Sequence, residues 1–211
     1  MTAALLTLSQ RLSPAFPVGS FAYSHGLEWA IFAGEVTNAE TLLLWVEDVL
    51  AHGSGRSDAV LLAHALTPGA DLGLLSDMAL ALAASAERVR ETVDQGRAYM
   101  AALPEDAGSL PGDLPYPVAL GATCRDLGLP VETIVAFYLQ AFAGMLVQAA
   151  VRFVPIGQTA GQRVISALHP LMMRIAAEAV ATPLDGIASG AFRSDLAAMR
   201  HEVMEVRIFR T

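Results

Sequence analysis

The fold of this chain is decided by residues 131–152, which read VETIVAFYLQAFAGMLVQAAVR. Residues 134–151 carry no charge, and a helix that is apolar on all sides must be buried on all sides. The length also reaches the lower end of a membrane span, which needs about 17 to 25 residues. Gln140, Gly144 and Gln148, and the lack of an aromatic belt at both ends, count against lipid. We therefore predict a central core helix, with membrane contact as the alternative.

The rest of the chain shows apolar residues at helical spacing, bounded by capping residues, glycines and prolines. Asn38 is a typical N-cap, and the helix after it is expected to end at Gly53. Further helices are expected over residues 3–12, 24–33, 57–66, 74–103, 118–127, 158–181 and 194–204. Ser194 is expected to cap the last of them. Because no alternating pattern is long enough for a strand, we predict an all-α, single-domain helical bundle of roughly eight to ten helices over residues 1–211.

Three local features refine this prediction. Glu87 lies three residues before Arg90 and four before Glu91, spacings that predict a solvated, charged face on the later half of the long helix. Pro170 lies inside a predicted helix and is expected to kink it. Residues 104–117 contain four prolines and two glycines, which predicts the main loop of the chain, mobile at residues 105–112.

Composition excludes several classes of function. The 211-residue chain has a formal net charge of −8, which argues against nucleic-acid binding. Its 13 basic residues are all arginine, which excludes a phosphate-loop lysine and a Schiff-base lysine. Cys124 is the single cysteine, which excludes a disulfide within the chain and a site of several thiolates. We expect a reducing, cytoplasmic setting, and the N-terminus lacks the pattern of a signal peptide.

Residues 13–29, SPAFPVGSFAYSHGLEW, form a segment that we call the elbow. Pro14 and Pro17 fix the backbone and remove two donors, while Gly19 permits a positive φ. Ser20 or Ser24 is placed to cap the helix that follows. The simplest interpretation is a turn around the core, but the histidine and carboxylate at its end also suit a site.

The histidines offer two pairs at ligand spacing, His25 with Glu28 and His201 with Glu205. Either pair could hold nickel from one helix face, but neither has a third ligand nearby in sequence, and hydrogen bonding is the commoner role. Residues 53–57, GSGRS, lack the preceding strand and the lysine of a phosphate loop. No nucleophile–base pair is visible, so catalytic residues are not expected.

Two further blocks suit protein contacts. At residues 154–163, VPIGQTAGQR, the small Gly161 lets another backbone approach, and Gln158, Gln162 and Arg163 stand as donors at the start of a helix; the alternative is that they satisfy the helix's own terminus. The tail, residues 200–211, flanks Ile208 and Phe209 with arginines, a combination that contributes strongly to interfaces. The alternative there is a frayed terminus.

Together, residues 13–29, 154–163 and 199–210 resemble the signature blocks of the UreF family of urease accessory proteins, in the family's order and over essentially the whole chain. Residues 104–115 are the least informative part. The tail departs from the family at residues 203–206, VMEV, where small polar residues and then tyrosine or serine are usual. Ile208 also stands where leucine is usual.

The resemblance implies an all-α homodimer without chemistry of its own, which docks on UreD (also called UreH) and recruits the GTPase UreG so that nickel reaches the urease apoprotein. Nickel and GTP would be handled by these partners, so no cofactor or metal site is expected in this chain. The alternative is a metallochaperone that carries nickel itself through His25 or His201. The candidate partner-binding residues are Tyr23, Ser24, His25, Glu28, Gln158, Gly161, Gln162, Arg163, Arg200, His201, Glu202, Arg207, Phe209 and Arg210.

Overall fold

Ten α-helices make up the regular structure of the residues that the computed structural model describes, 3–104, 110 and 112–210. They are α1 (Ala3–Arg11), α2 (Leu27–Phe32), α3 (Ala39–His52), α4 (Ser54–Ala65), α5 (Leu72–Ala81), α6 (Ala86–Ala101), α7 (Tyr116–Cys124), α8 (Val131–Phe153), α9 (Gly157–Ala181) and α10 (Phe192–His201). Three short 3-10 turns join them, and no strand occurs in these described ranges. The all-α prediction is confirmed.

Helix α8 is the central core helix that its charge-free stretch predicts. It packs along α9 and also contacts α4, α3 and α2. Ile134, Leu139 and Leu146 are among its fully buried side chains. By length and composition alone both α8 and α9 could cross a membrane, but the apolar surface of α8 is largely covered by the other helices of the bundle.

Local capping signals place the start of α3 where the sequence predicts it. The Asn38 side chain accepts hydrogen bonds from the backbone N–H groups of Glu40 and Thr41, both at 3.0 Å. The Thr41 hydroxyl accepts in return from the N–H of Asn38 at 3.1 Å, which completes a capping box. The helix ends at His52, one residue before Gly53.

Replacing Asn38 by alanine is expected to lower the free energy of unfolding by about 1 kcal/mol, because two first-turn amides lose their acceptor. The melting temperature should fall by roughly 2–4 °C for a chain of this size. Asn38→Asp is the matched control, since aspartate caps equally well and should melt close to the parent. Equal melting of the alanine and aspartate variants would contradict a role for the cap.

The prediction of one helix over residues 74–103 is wrong, because α5 ends at Ala81 and α6 begins at Ala86. The Ser85 hydroxyl accepts a hydrogen bond from the N–H of Arg88 at 3.1 Å and caps the second helix. The residues between the two helices include no glycine or proline, so the local sequence contains no helix-breaking residue there.

The prediction of a solvated charged face on α6 holds for Arg90, which is exposed, but is wrong for Glu87 and Glu91. Glu87, Arg88 and Glu91 are all buried, because other parts of the chain cover this face and pair with its charges. Arg90 and Asp94, on the adjacent strip of the same helix, are exposed.

Several element boundaries differ from the prediction. Helix α4 begins at Ser54, so Gly53 alone interrupts the chain there. Helix α10 begins at Phe192 and ends at His201; Ser194 lies inside its first turn, donating to the carbonyl of Ala191, and is not the cap. Helix α9 continues through Pro170. In the predicted loop, residues 105–109 and 111 lie outside the described residues, and α7 already begins at Tyr116.

Candidate functional site

The elbow turns sharply just before α2. His25 has a φ of 52° and Gly26 a φ of 75°, so two consecutive residues adopt the left-handed region. At Gly26 an added Cβ would lie 2.6 Å from the backbone nitrogen of Ala198, so only glycine lets α10 approach this closely. The predicted helix over residues 24–33 is shorter, with Gly26 and not a serine at the N-cap position, although the Ser24 hydroxyl accepts from the first-turn N–H of Glu28 at 3.3 Å. As a result the side chains of His25 and Glu28 point into the protein.

His25 belongs to a buried set of charged and polar residues that we call the inner cluster: His25, Glu91, Arg88, Asp58 and Tyr138. His25 Nε2 lies 2.8 Å from Glu91 Oε1, and Arg88 lies 3.4 Å from the other oxygen of Glu91. Arg88 also donates to Asp58 at 2.7 Å, and the Tyr138 hydroxyl donates to the same oxygen at 2.8 Å. The inner cluster thus joins the elbow to α6, α4 and α8.

Burial controls the ionisation of this cluster. It raises the pKa of the Asp58 carboxyl, an effect that Arg88 and the Tyr138 hydroxyl oppose. Burial alone would lower the pKa of Arg88, but the carboxylates of Glu91 and Asp58 raise it above its usual range. Arg88 is therefore a permanent cation that two carboxylates compensate.

A second set, the outer cluster, consists of Glu28, His201 and Glu87. His201 is fully buried; its Nδ1 lies 2.7 Å from Glu87 Oε2 and its Nε2 lies 2.9 Å from Glu28 Oε2. The ring of His201 thus bridges the carboxyl groups of Glu28 and Glu87, one at each nitrogen.

The last residues of the tail bind to the outer cluster. The N–H groups of Ile208 and Phe209 donate to the two oxygens of Glu28 at 2.8 and 2.9 Å, and Arg207 pairs with Glu87. The Phe209 ring is buried against Phe153, with ring centroids 5.3 Å apart. The tail is thus docked on its own chain in this structure.

The structure therefore brings together two of the three blocks that the sequence singled out. Arg210 donates its N–H to the carbonyl of Ala22 in the elbow at 2.7 Å. Burial raises the pKa of Tyr23, and a hydrogen bond from Arg210 partly offsets this. Arg200 lies over the ring of Trp29, and Glu202 accepts from the N–H of Glu87. Tyr23, Ser24 and His25 are all buried.

The third block, at the start of α9, lies apart from these clusters. Gly161 fits against α8, because an added Cβ would lie 2.9 Å from Val151, and this contact within the chain uses the gap that the sequence predicts. Gln158 accepts a hydrogen bond from Gln148 at 3.3 Å, while Gln162 and Arg163 are exposed.

Neither predicted metal-ligand pair forms. His25 pairs with Glu91, whereas Glu28 pairs with His201, and Glu205 is exposed beyond the end of α10. Across the described ranges, no group of three histidine, cysteine or acidic residues is arranged to hold a metal ion.

Sequence reasoning did not single out five members of these clusters as site residues: Asp58, Glu87, Arg88, Glu91 and Tyr138. Their charge pattern fits an exposed helix equally well. The signal that could have pointed to them is Gly96 in the same helix, since a glycine at a helix interior costs stability unless something packs closely there. An added Cβ at Gly96 would lie 1.9 Å from the carbonyl oxygen of Leu114.

Comparison with known proteins identifies the family. Residues 36–169, more than half of the chain, match the family model described as UreF. The chain belongs to the UreF family of urease accessory proteins. The family match includes most of the inner cluster, but neither the elbow nor the tail.

Full-length relatives of this UreF-family chain cover those parts as well. A protein of Cereibacter sphaeroides named urease accessory protein UreF is 59% identical over 211 residues, which is 100% of each chain. One of Dinoroseobacter shibae with the same name is 51% identical over the same length, again 100% of each. One of Paracoccus denitrificans is 48% identical over 209 residues, 99% of this chain and 97% of the relative.

Proposed function

We propose that this chain is a scaffold for nickel insertion into urease that acts without catalysis of its own. In this proposal it docks on UreD/UreH and recruits and regulates the GTPase UreG, so that nickel reaches the urease apoprotein in the cytoplasm. Nickel and GTP are handled by these partners. Membership of the UreF family supports the urease accessory role, and one observation about the surface supports the docking role.

That observation is an exposed apolar groove between α2 and the tail, of about 600 Å³. Phe32 and Val206 are each 78% exposed and Ile208 is 65% exposed. Large apolar side chains that stand together in water mark sites of protein contact. Glu28 and Phe153 line the base of the groove. We propose that UreD covers this surface, with the tail as part of the contact.

A second groove suits a second copy of the chain. It has a volume of about 510 Å³ and lies along α8, where Gly144, Met145 and Ala149 are lined up with Gln148 and Arg152. The small residues allow a close approach, and the amides supply hydrogen bonds that a self-complementary contact can pair. The homodimer of this proposal would form there.

Co-expression with UreD tests the docking role. We expect one complex with two copies of each chain in size-exclusion chromatography with light scattering, and we expect deletion of residues 207–211 to abolish co-purification. Arg174→Ala is a control, because it removes an exposed arginine of α9 that is not among the candidate partner-binding residues. Circular dichroism of the isolated truncated chain checks that it is folded. Unchanged recovery of UreD with a folded truncated chain would overturn the proposed role of the tail.

Nickel handling has its own test. We expect equilibrium dialysis of the isolated chain to detect no tightly bound nickel, since both ring nitrogens of His201 already bind carboxylates. One tight nickel ion per chain, lost in His25→Ala or His201→Ala, would instead support a metallochaperone.

A further inference from the structure

We propose that Glu28 is a positioning residue for the tail. With His201 and Glu87 it holds residues 207–210 in one docked conformation, so that Val206 and Ile208 form a preformed binding surface. The consequence for UreD rests on the proposed function, whereas the ordering of the tail is a property of this chain alone.

The first support is the way the carboxylate of Glu28 is used. One of its oxygens accepts from the N–H of Ile208, and the other accepts from the N–H of Phe209 and from His201. The side chain of Glu28 is only 12% exposed. Hydrogen bonds to a charged acceptor with little access to water are stronger than those between neutral groups. Two adjacent backbone amides bound by one carboxylate also define the register of the tail.

The second support is the direction that this register gives to the tail side chains. Phe209 is turned inward and is 5% exposed, whereas Ile208 beside it is turned outward. A shift of one residue would bring Phe209 into water and Ile208 toward Phe153. The bonds to Glu28 therefore determine which apolar side chains a partner meets.

The third support is that the tail and the buried charges depend on each other. Glu87 accepts from His201 with one oxygen and from Arg207 with the other. Release of the tail would remove two backbone N–H donors from Glu28 and the Arg207 guanidinium from Glu87. His201 would still hold these two carboxylates near one another. Water would then have to replace the lost donors at both carboxylates. The tail is therefore expected to dock and release as one unit, in a two-state equilibrium, and not to fray residue by residue.

Hydrogen–deuterium exchange of the C-terminal peptide of the isolated chain tests the tail directly. We expect Glu28→Ala to speed exchange at Ile208 and Phe209 by roughly tenfold or more, the factor that the loss of one charge-assisted hydrogen bond gives. Glu205→Gln is the matched control, because it removes an exposed carboxylate from the same tail. The global unfolding midpoint is measured in urea for each variant.

A second pair of variants leaves both clusters intact in case Glu28→Ala does not fold. Ile208→Pro removes one of the two donated N–H groups, whereas Ile208→Ala keeps that N–H and removes only the outward side chain. We expect the proline variant to speed exchange at Phe209 and the alanine variant to leave it protected. Equal protection of Phe209 in the parent, the proline variant and a folded Glu28→Ala would overturn the proposal.

UreD binding of the same variants separates this inference from the proposed function. We expect Glu28→Ala to bind UreD roughly tenfold more weakly, because the tail must then be ordered on binding. Faster exchange with unchanged UreD binding would support the positioning of the tail and overturn its role toward UreD. Unchanged exchange with weaker binding would overturn the positioning and leave the docking proposal standing.

Discussion

Replacing Arg88 by methionine should lower the free energy of unfolding by about 3–5 kcal/mol, the cost of removing one partner from a buried ion pair. Arg88 donates to Asp58 at 2.7 Å and lies 3.4 Å from Glu91. Without the guanidinium, the two buried carboxylates would lose the cation between them, and the partners left to them would include His25, Gln95 and Tyr138. Methionine retains the length of the side chain, so the loss reports on charge more than on volume. Urea unfolding followed by circular dichroism measures it.

Arg90→Met is the matched control for this experiment. Arg90 lies two residues away on the same helix and is exposed, so the same change of residue type should alter the free energy of unfolding by less than about 0.5 kcal/mol. If the two variants unfolded at the same urea concentration, the inner cluster would not be a stabilising feature of the fold.

Under the proposed function, Arg88→Met should also impair urease maturation. The inner cluster holds the elbow through Glu91 and His25, and the next turn of the elbow carries Glu28, on which the tail docks. We therefore expect cells that carry Arg88→Met to contain less nickel-loaded urease than cells that carry Arg90→Met. Equal nickel content of urease in both would contradict this link.

Replacing Gly96 by alanine should destabilise the chain by about 3 kcal/mol or more, at or above the upper end of the range for overpacked cores. An added Cβ would lie 1.9 Å from the carbonyl oxygen of Leu114 and 3.0 Å from the nitrogen of Tyr116. Both neighbours are backbone atoms, which cannot rotate away as a side chain can. Helix α6 would have to move from the start of α7, and with it the face that carries both clusters.

Gly144→Ala supplies the comparison. Gly144 lies inside α8 with no atom of its own chain within 4 Å of an added Cβ. In chain dilute enough to be monomeric, so that the proposed homodimer contact at Gly144 is not formed, the same substitution should stabilise the helix by roughly 0.5–1 kcal/mol. The melting temperature of Gly96→Ala should therefore fall below that of the parent, and that of Gly144→Ala should rise above it. A Gly96→Ala chain as stable as the parent would show that α6 and α7 are not held together as closely as the structure has them.

Local signals predicted much of the helical framework. Asn38 caps α3 because its side chain reaches amides only two and three residues away, a relation that the sequence contains completely. Gly128 ends the 3-10 turn after α7 with a φ of 62°, and the charge-free stretch of α8 predicted a helix that packs against several others, which are α9, α4, α3 and α2. The comparisons confirm the resemblance to the UreF family, which rests on residues 13–29, 154–163 and 199–210.

The pairing within the site could not be predicted in the same way. His25 and Glu28 stand three residues apart and suggest a common ligand, yet His25 pairs with Glu91 while Glu28 pairs with His201. The left-handed backbone at His25 and Gly26 sends the two side chains to different neighbours. The partners lie on α6 and α10. They are so far from His25 and Glu28 along the chain that no local sequence pattern predicts the pairing.

Sequence reasoning alone was sufficient for the all-α class, the central helix and the ends of α1, α3, α8 and α9, because each depends on residues within one or two turns. Only the tertiary structure decided that the charged face of α6 is buried and that the tail docks on Glu28. A charge pattern such as that of Glu87, Arg88 and Glu91 suits water and a compensated interior equally well. The residues that compensate these charges in the interior are distant in sequence. Asp58 lies 30 residues from Arg88, and Arg207 lies 120 residues from Glu87.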